Sequence, residues 1–126
     1  MSIKDTAQSI IKSINDGDTL TSVSLSAENF HEDTVKLVSV LVGKKLGGIY
    51  VTTSRPSSHI RAELEEAGAD LSDLYFVDLV SMTVGGNTSD ARTLFIESPT
   101  MLESILLNIT LLERRLKSKR RFVVFD

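Results

Sequence analysis

Apolar residues recur at helical spacing at Ile3, Ala7, Ile10, Ile11 and Ile14, which predicts a first helix stopped by Asn15-Asp16-Gly17-Asp18. Thr21 to Ser26 sets Val23 and Leu25 against hydroxyl residues, the alternation of a short strand. From Asp33 onward, Val35, Leu37, Val38, Leu41 and Val42 form the stripe of a second helix, which ends at Gly43 to Gly48. The pair Gly47-Gly48 reads as a turn. Ile49-Tyr50-Val51-Thr52-Thr53 is rich in β-branched residues and predicts a strand closed by Ser54-Arg55-Pro56.

Ser57 or Ser58 is placed to cap a third helix with an apolar face of Ile60, Leu64 and Ala67 and a stop at Gly68. Leu74 to Val80 predicts a strand, Ser81 to Arg92 a glycine-containing loop, and Thr93 to Ile96 another strand. Ser98-Pro99-Thr100 opens a long helix whose apolar positions are Leu102, Ile105, Leu106, Ile109, Leu112 and Leu116. Arg121 to Asp126 closes the sequence as a near-continuous apolar strand. Strands alternate with helices throughout, so the expected fold is α/β, three layers in αβα order around a mostly parallel sheet. The final strand reads as central, and nothing after it supplies a second neighbour. Either the chain is a piece of a longer protein, or a partner or another strand covers that edge.

Composition narrows the chemistry. The 126 residues fit one domain, 1–126, and the net charge of -3 gives no long-range attraction for nucleic acid or an anionic membrane. With no cysteine there are no disulfides and no thiolate metal sites. His31 and His59 show no zinc spacing and read as surface residues at helix starts. No segment is long and apolar enough for a membrane span, and no basic-then-apolar leader is visible at Met1 to Asp5. A cytoplasmic protein is the expectation.

Between Val23 and Thr34 a strand, a tight loop and a helix start follow one another, the frame in which many α/β proteins hold a nucleotide phosphate. With the strand Ile49–Thr53 and the run Phe122-Val123-Val124-Phe125-Asp126, the chain resembles the first half of an archaeal-type RecA/KaiC-like P-loop ATPase domain. The resemblance covers element order from Thr21 to Asp126 and implies a P-loop NTPase or RecA-like topology. On the family's phosphate loop, the first glycine falls at Ala27, the second at Glu32, the lysine at Asp33 and the hydroxyl residue at Thr34. Only Thr34 keeps its type. Replacing an ammonium by the Asp33 carboxylate swings a Coulomb interaction by about 8 kcal/mol at ~4 Å and an effective dielectric of ~20, as an upper bound. After Ile49–Thr53 the family carries a catalytic glutamate, whereas Thr53-Ser54-Arg55-Pro56 has no carboxylate. Asp126 matches the aspartate of a Walker B strand.

The resemblance therefore implies a degenerate relative: not an enzyme, with no cofactor and no resident metal. It would serve as a regulatory or protein-interaction module, through a protein partner or as a homo-oligomer. The last strand and the apolar helix Ser98 to Lys117 are its candidate contact regions. The alternative is an ATP-binding KaiC-like ATPase with an atypical phosphate loop, in which Thr34, Arg55 and Asp126 hold Mg²⁺ and phosphate.

Other residues carry paired readings. Asp78 sits late in a strand, like the phosphoacceptor of a response-regulator receiver, but the accompanying acidic pair and lysine are missing. Glu28, Glu32 and Asp33 suit either a divalent cation or a helix N-terminal dipole. Arg55 suits an anion or a solvent-exposed loop. Arg114, Arg115, Lys117, Lys119, Arg120 and Arg121 form a basic cluster that reads as a solvated helix end, because no interleaved aromatics accompany it and nucleic-acid binding is not expected. Gly85-Gly86-Asn87-Thr88 follows a strand, at the edge where α/β folds bind ligands.

Overall fold

The computed structural model describes residues 3–15, 30–81, 92–96 and 102–126. Four strands, β1 (Gly47–Thr52), β2 (Leu74–Asp78), β3 (Thr93–Phe95) and β4 (Arg121–Phe125), form one sheet in the order β3-β2-β1-β4. Every pairing is parallel. Four helices accompany them: α1 (Ile3–Asn15), α2 (Phe30–Gly43), α3 (Ser57–Glu66) and α4 (Leu102–Glu113). The α/β expectation holds. The predicted strand Thr21–Ser26, Glu28, the Gly85-Gly86-Asn87-Thr88 loop and the helix start Ser98-Pro99-Thr100 lie outside the described residues.

Alternation along the strands divides the apolar side chains between two faces. On one face Tyr50, Leu74, Phe76 and Phe122 pack with Ala7 of α1, Val35, Val38 and Leu41 of α2, and Ile60 and Leu64 of α3. On the other, Ile49, Val51 and Val77 pack with Ile105, Ile109 and Leu112 of α4 and with Leu116 beyond it. At roughly 1.5–3 kcal/mol for each fully buried aliphatic side chain, these two clusters supply the main driving force for folding. Gly68, at φ 80°, ends the turn after α3 as expected.

Several expectations change. Gly47 and Gly48 are not a turn but the first two residues of β1, both buried. A Cβ on Gly48 would lie 2.2 Å from the Phe122 ring and one on Gly47 would lie 2.8 Å from Asp73 Oδ2, so close approach rather than backbone conformation requires glycine there. Helix α2 begins at Phe30, ahead of Asp33, and β2 ends at Asp78, short of Val80. Ala67 is exposed, and so is Leu106, which the helical pattern had placed on the buried face of α4.

The largest correction concerns β4. Among the described residues it pairs only with β1 and lies at an edge of the sheet they form, not between two strands. Phe122 is buried, whereas Val123 and Phe125, on the opposite face, are 40% and 61% exposed.

Candidate functional site

In a parallel sheet all strands end at one edge. Here that edge gathers Thr52 at the end of β1 and Thr53, Ser54 and Arg55 after it, Asp78 at the end of β2 and Ser81 after it, and Asp126 after β4. The chain steps outward from β1 through β2 to β3 and then returns to place β4 on the other flank of β1. The strand order thus reverses between β1 and β4, the position at which open α/β sheets form ligand crevices.

Asp126 occupies that position, and both oxygens of its carboxylate accept hydrogen bonds. Tyr50 Oη donates to Oδ2 at 2.6 Å, while Thr53 N and Ser54 Oγ donate to Oδ1 at 3.2 and 3.1 Å. Thr53 Oγ1 donates to the Asp126 carbonyl, and Asp126 N donates to the carbonyl of Val51. Five hydrogen bonds therefore bind the end of β4 to the end of β1. Burial, then the hydrogen bond to Asp126 and its negative charge, push the Tyr50 phenol far above the ordinary tyrosine range, with the charge of Arg55 and its contact with the phenol oxygen opposing. The phenol is a fixed donor at neutral pH.

Asp78 is equally committed. It is completely buried, and Oδ2 accepts from Ser57 N at 2.8 Å and Ser81 Oγ at 2.5 Å. Oδ1 accepts from Val80 N and Ser81 N, both at 2.8 Å. Burial alone would raise this carboxyl, but the bonds from Ser81 and Ser57 outweigh it and hold the group below the usual carboxylate range. The Ser57 bond caps α3, which has no side-chain cap from its own N-cap residue, Pro56. An aspartate holding a helix start and a turn together is a structural brace, with no lone pair turned toward an incoming phosphoryl group.

Arg55 differs from the exposed loop residue expected of it. Its side chain is 17% exposed, and Nη1 donates to Glu63 Oε1 of α3 at 2.8 Å. Among the described residues, its Nε and Nη2 are buried and have no hydrogen-bond partner. Arg55 and Asp126 both act on Tyr50 and so share one locale. Thr34 is buried in the first half of α2.

The remaining candidates separate from this edge. Glu32 and Asp33 lie in the first turn of α2, where acidic residues complement the helix dipole, and Glu32 pairs with Lys36 at 3.1 Å. His31 and His59 are exposed near helix starts. In the basic cluster, Arg120 Nη2 donates to the Lys44 carbonyl and Arg121 Nε to the Ser118 carbonyl, so both guanidinium groups bind backbone at the amino edge of the sheet. That edge holds a cleft of about 320 Å³ beside Lys45, Asp70, Asp73 and Lys117. Its acids are occupied: Asp73 accepts from Lys117 N and Ser118 N, and Asp70 accepts from Ser72 N. The backbone bond from Ser72 holds Asp70 below the ordinary carboxylate range. Among the described residues no group of three or more histidine, cysteine or acidic side chains is arranged to hold a metal ion, and no helix is long and apolar enough to cross a membrane. No protein-family model, curated protein or solved structure matches the chain.

Sequence reasoning singled out Asp126 and Arg55 but missed Tyr50, Thr53 and Ser54 as the partners of Asp126. The available signal was a hydroxyl-rich segment after one parallel strand and a terminal aspartate on another, which a parallel register brings level.

Proposed function

We propose that this chain is a RecA/KaiC-like module that carries out no chemistry and works by association with protein, a partner or a second copy of itself. One observation carries the reading. The edge strand β4 turns Val123 and Phe125 outward at 40% and 61% exposure, beside an edge that no described strand pairs. An exposed apolar strand edge is a template for another chain, and monomeric proteins usually blunt such edges. Helix α4 adds Leu106, Leu107 and Leu111, each more than 40% exposed. The carboxylate of Asp78, with four hydrogen bonds, and that of Asp126, with three, are held by the protein's own donors, which supports a reading without catalysis.

Sedimentation across the micromolar range, alone and with candidate partners, tests this. We expect concentration-dependent association or partner binding that weakens on Phe125→Ser with Val123→Thr. A strict monomer whose partner binding ignores both substitutions would end the reading. The alternative, an ATP-binding domain with an unusual phosphate loop, draws support from the meeting of Arg55 and Asp126 at one edge. Calorimetric titration with MgATP separates the two: a micromolar constant would favour the alternative, and absent binding the association module.

A further inference from the structure

We propose that the Nε–Nη2 edge of Arg55 is a receptor for a small oxyanion, a phosphate or carboxylate group, at the carboxyl edge of the sheet. An arginine guanidinium stays charged at every accessible pH and offers five N–H donors. Its Nε and Nη2 hydrogens point the same way and match two oxygens of a carboxylate or phosphate. In Arg55 this pair is buried and makes no hydrogen bond of good geometry among the described residues, while Nη1 is bound to Glu63. The Tyr50 phenol oxygen lies beside the guanidinium but offers one acceptor atom, not the two the fork matches. Buried donors are nearly always satisfied in folded proteins, and those of a charged group more strictly than others. An unmet bidentate fork is therefore a specific vacancy, one that chloride or a single carbonyl oxygen would fill poorly.

The surroundings hold the fork in place before any ligand arrives. Thr52, fully buried, donates its hydroxyl to the Arg55 carbonyl at 2.5 Å and accepts from Arg55 N at 3.3 Å. Pro56 follows at φ -57° and restricts the backbone of Arg55 to extended conformations. Backbone and Nη1 are thus fixed at opposite ends of the side chain, which limits the entropy lost when an anion docks. The fork also lies where the strand order reverses, beside the exposed residues Thr53 and Ser54. The two nitrogens are covered, so an anion reaches them only if neighbouring atoms give way, and Thr53 and Ser54 immediately precede Arg55 in the chain. The amides of Thr53 and Ser54 should then respond together with Arg55.

The neighbouring carboxylate Asp126 makes no hydrogen bond to the fork: Oδ2 accepts from Tyr50, and Oδ1 from Thr53 and Ser54. The proposal is independent of self-association, since β4 presents Val123 and Phe125 on the face opposite to that of Tyr50.

Heteronuclear NMR of the whole chain tests it, with inorganic phosphate in one arm, acetate in a second, and chloride at matched ionic strength as the control. We expect the Arg55 Nε–H resonance and the Thr53 and Ser54 amides to move saturably with phosphate or acetate. Chloride should leave them in place, and the arm that saturates at lower concentration identifies the preferred class. In Arg55→Lys, which keeps the charge and loses the fork, the affinity should fall by about tenfold or more. Because the first readout is made on the unsubstituted protein, a poorly folded variant would not rescue a negative result. The proposal fails if neither oxyanion moves Arg55 Nε beyond the chloride control. It also fails if the saturable shifts fall on Lys117 to Arg121 instead, or if a folded Arg55→Lys protein binds equally well.

Discussion

Replacing Asp78 by asparagine keeps the shape of the side chain and removes one acceptor, so its cost can be worked bond by bond. Asp78 Oδ1 receives two backbone N–H groups, from Val80 and Ser81, and Oδ2 receives one from Ser57 and a hydroxyl from Ser81. The better asparagine rotamer keeps its oxygen at the Oδ1 position. Its NH₂ group can then donate to Ser81 Oγ, which rotates to accept, but it faces the Ser57 N–H donor to donor. One buried backbone donor is lost, which costs about 1–3 kcal/mol. Asp78→Ala strips the two fully buried amides, Ser57 and Ser81, and should cost about 4 kcal/mol, less whatever a water entering the space recovers.

The pH dependence adds an independent check. The folded carboxyl lies below its ordinary value, so its contribution is complete above the unfolded range and disappears as pH falls through the lowered folded value. The stability gap between the parent protein and Asp78→Asn should therefore be constant near neutrality and shrink below about pH 4. Urea unfolding followed by circular dichroism at several pH values measures both quantities. An asparagine variant within about 0.5 kcal/mol of the parent at neutral pH would refute the brace, because surface substitutions alone fall in that range. So would a gap that ignored acid.

Three further outcomes follow from the same geometry. Gly48→Ala drives a methyl group into the Phe122 ring and should destabilise by about 1–3 kcal/mol, visible as a lower melting temperature and relieved in part by Phe122→Leu. Tyr50→Phe removes the donor to Asp126 Oδ2 and should cost about 1.5–3 kcal/mol at neutral pH, by denaturant unfolding. Because the folded phenol lies above its unfolded value, the Tyr50 contribution is complete below the ordinary tyrosine range and is lost as pH rises beyond it toward the raised folded value, so the alkaline fall in stability should be smaller in Tyr50→Phe. Asp73→Ala frees the backbone amides of Lys117 and Ser118, both bound to its carboxylate. Faster amide exchange should appear between α4 and β4 before any global unfolding.

The legible parts of this chain were those written in local periodicity. Val35, Val38 and Leu41 announce a helix by spacing alone, and Ile49 to Thr52 announce a strand by β-branching, because burial of one face selects both patterns. Gly47-Gly48 misled for an equally physical reason. Two glycines signal a turn when only backbone freedom is considered, but here they make room for Phe122 and Asp73, residues distant in sequence. Beta strand β4 misled in the same way. Four successive apolar residues fit a strand buried on both faces, yet only register and strand order reveal that Phe125 faces outward. At the candidate site, Arg55 and Asp126 were visible as strand-end charges. What the charges touch was not, since Tyr50 and Asp126 are 76 positions apart in the chain.

The two aspartates at the carboxyl edge show how a parallel sheet turns such charges to structural use. Asp78 joins the end of β2 to the start of α3, while Asp126 joins the end of β4 to the loop after β1. Both satisfy backbone amides and hydroxyls that would otherwise be left at strand ends, where the ladder stops and donors lose their partners. Once each carboxylate is surrounded by three or four donors, a cation or phosphoryl group can reach it only by displacing them. Catalytic use would thus compete directly with the integrity of the edge. Arg55 stands apart because its unused hydrogen-bonding capacity is positive and forked. The chemistry this edge still has to offer is therefore the recognition of an anion, and removing that fork should alter recognition while both aspartate braces remain intact.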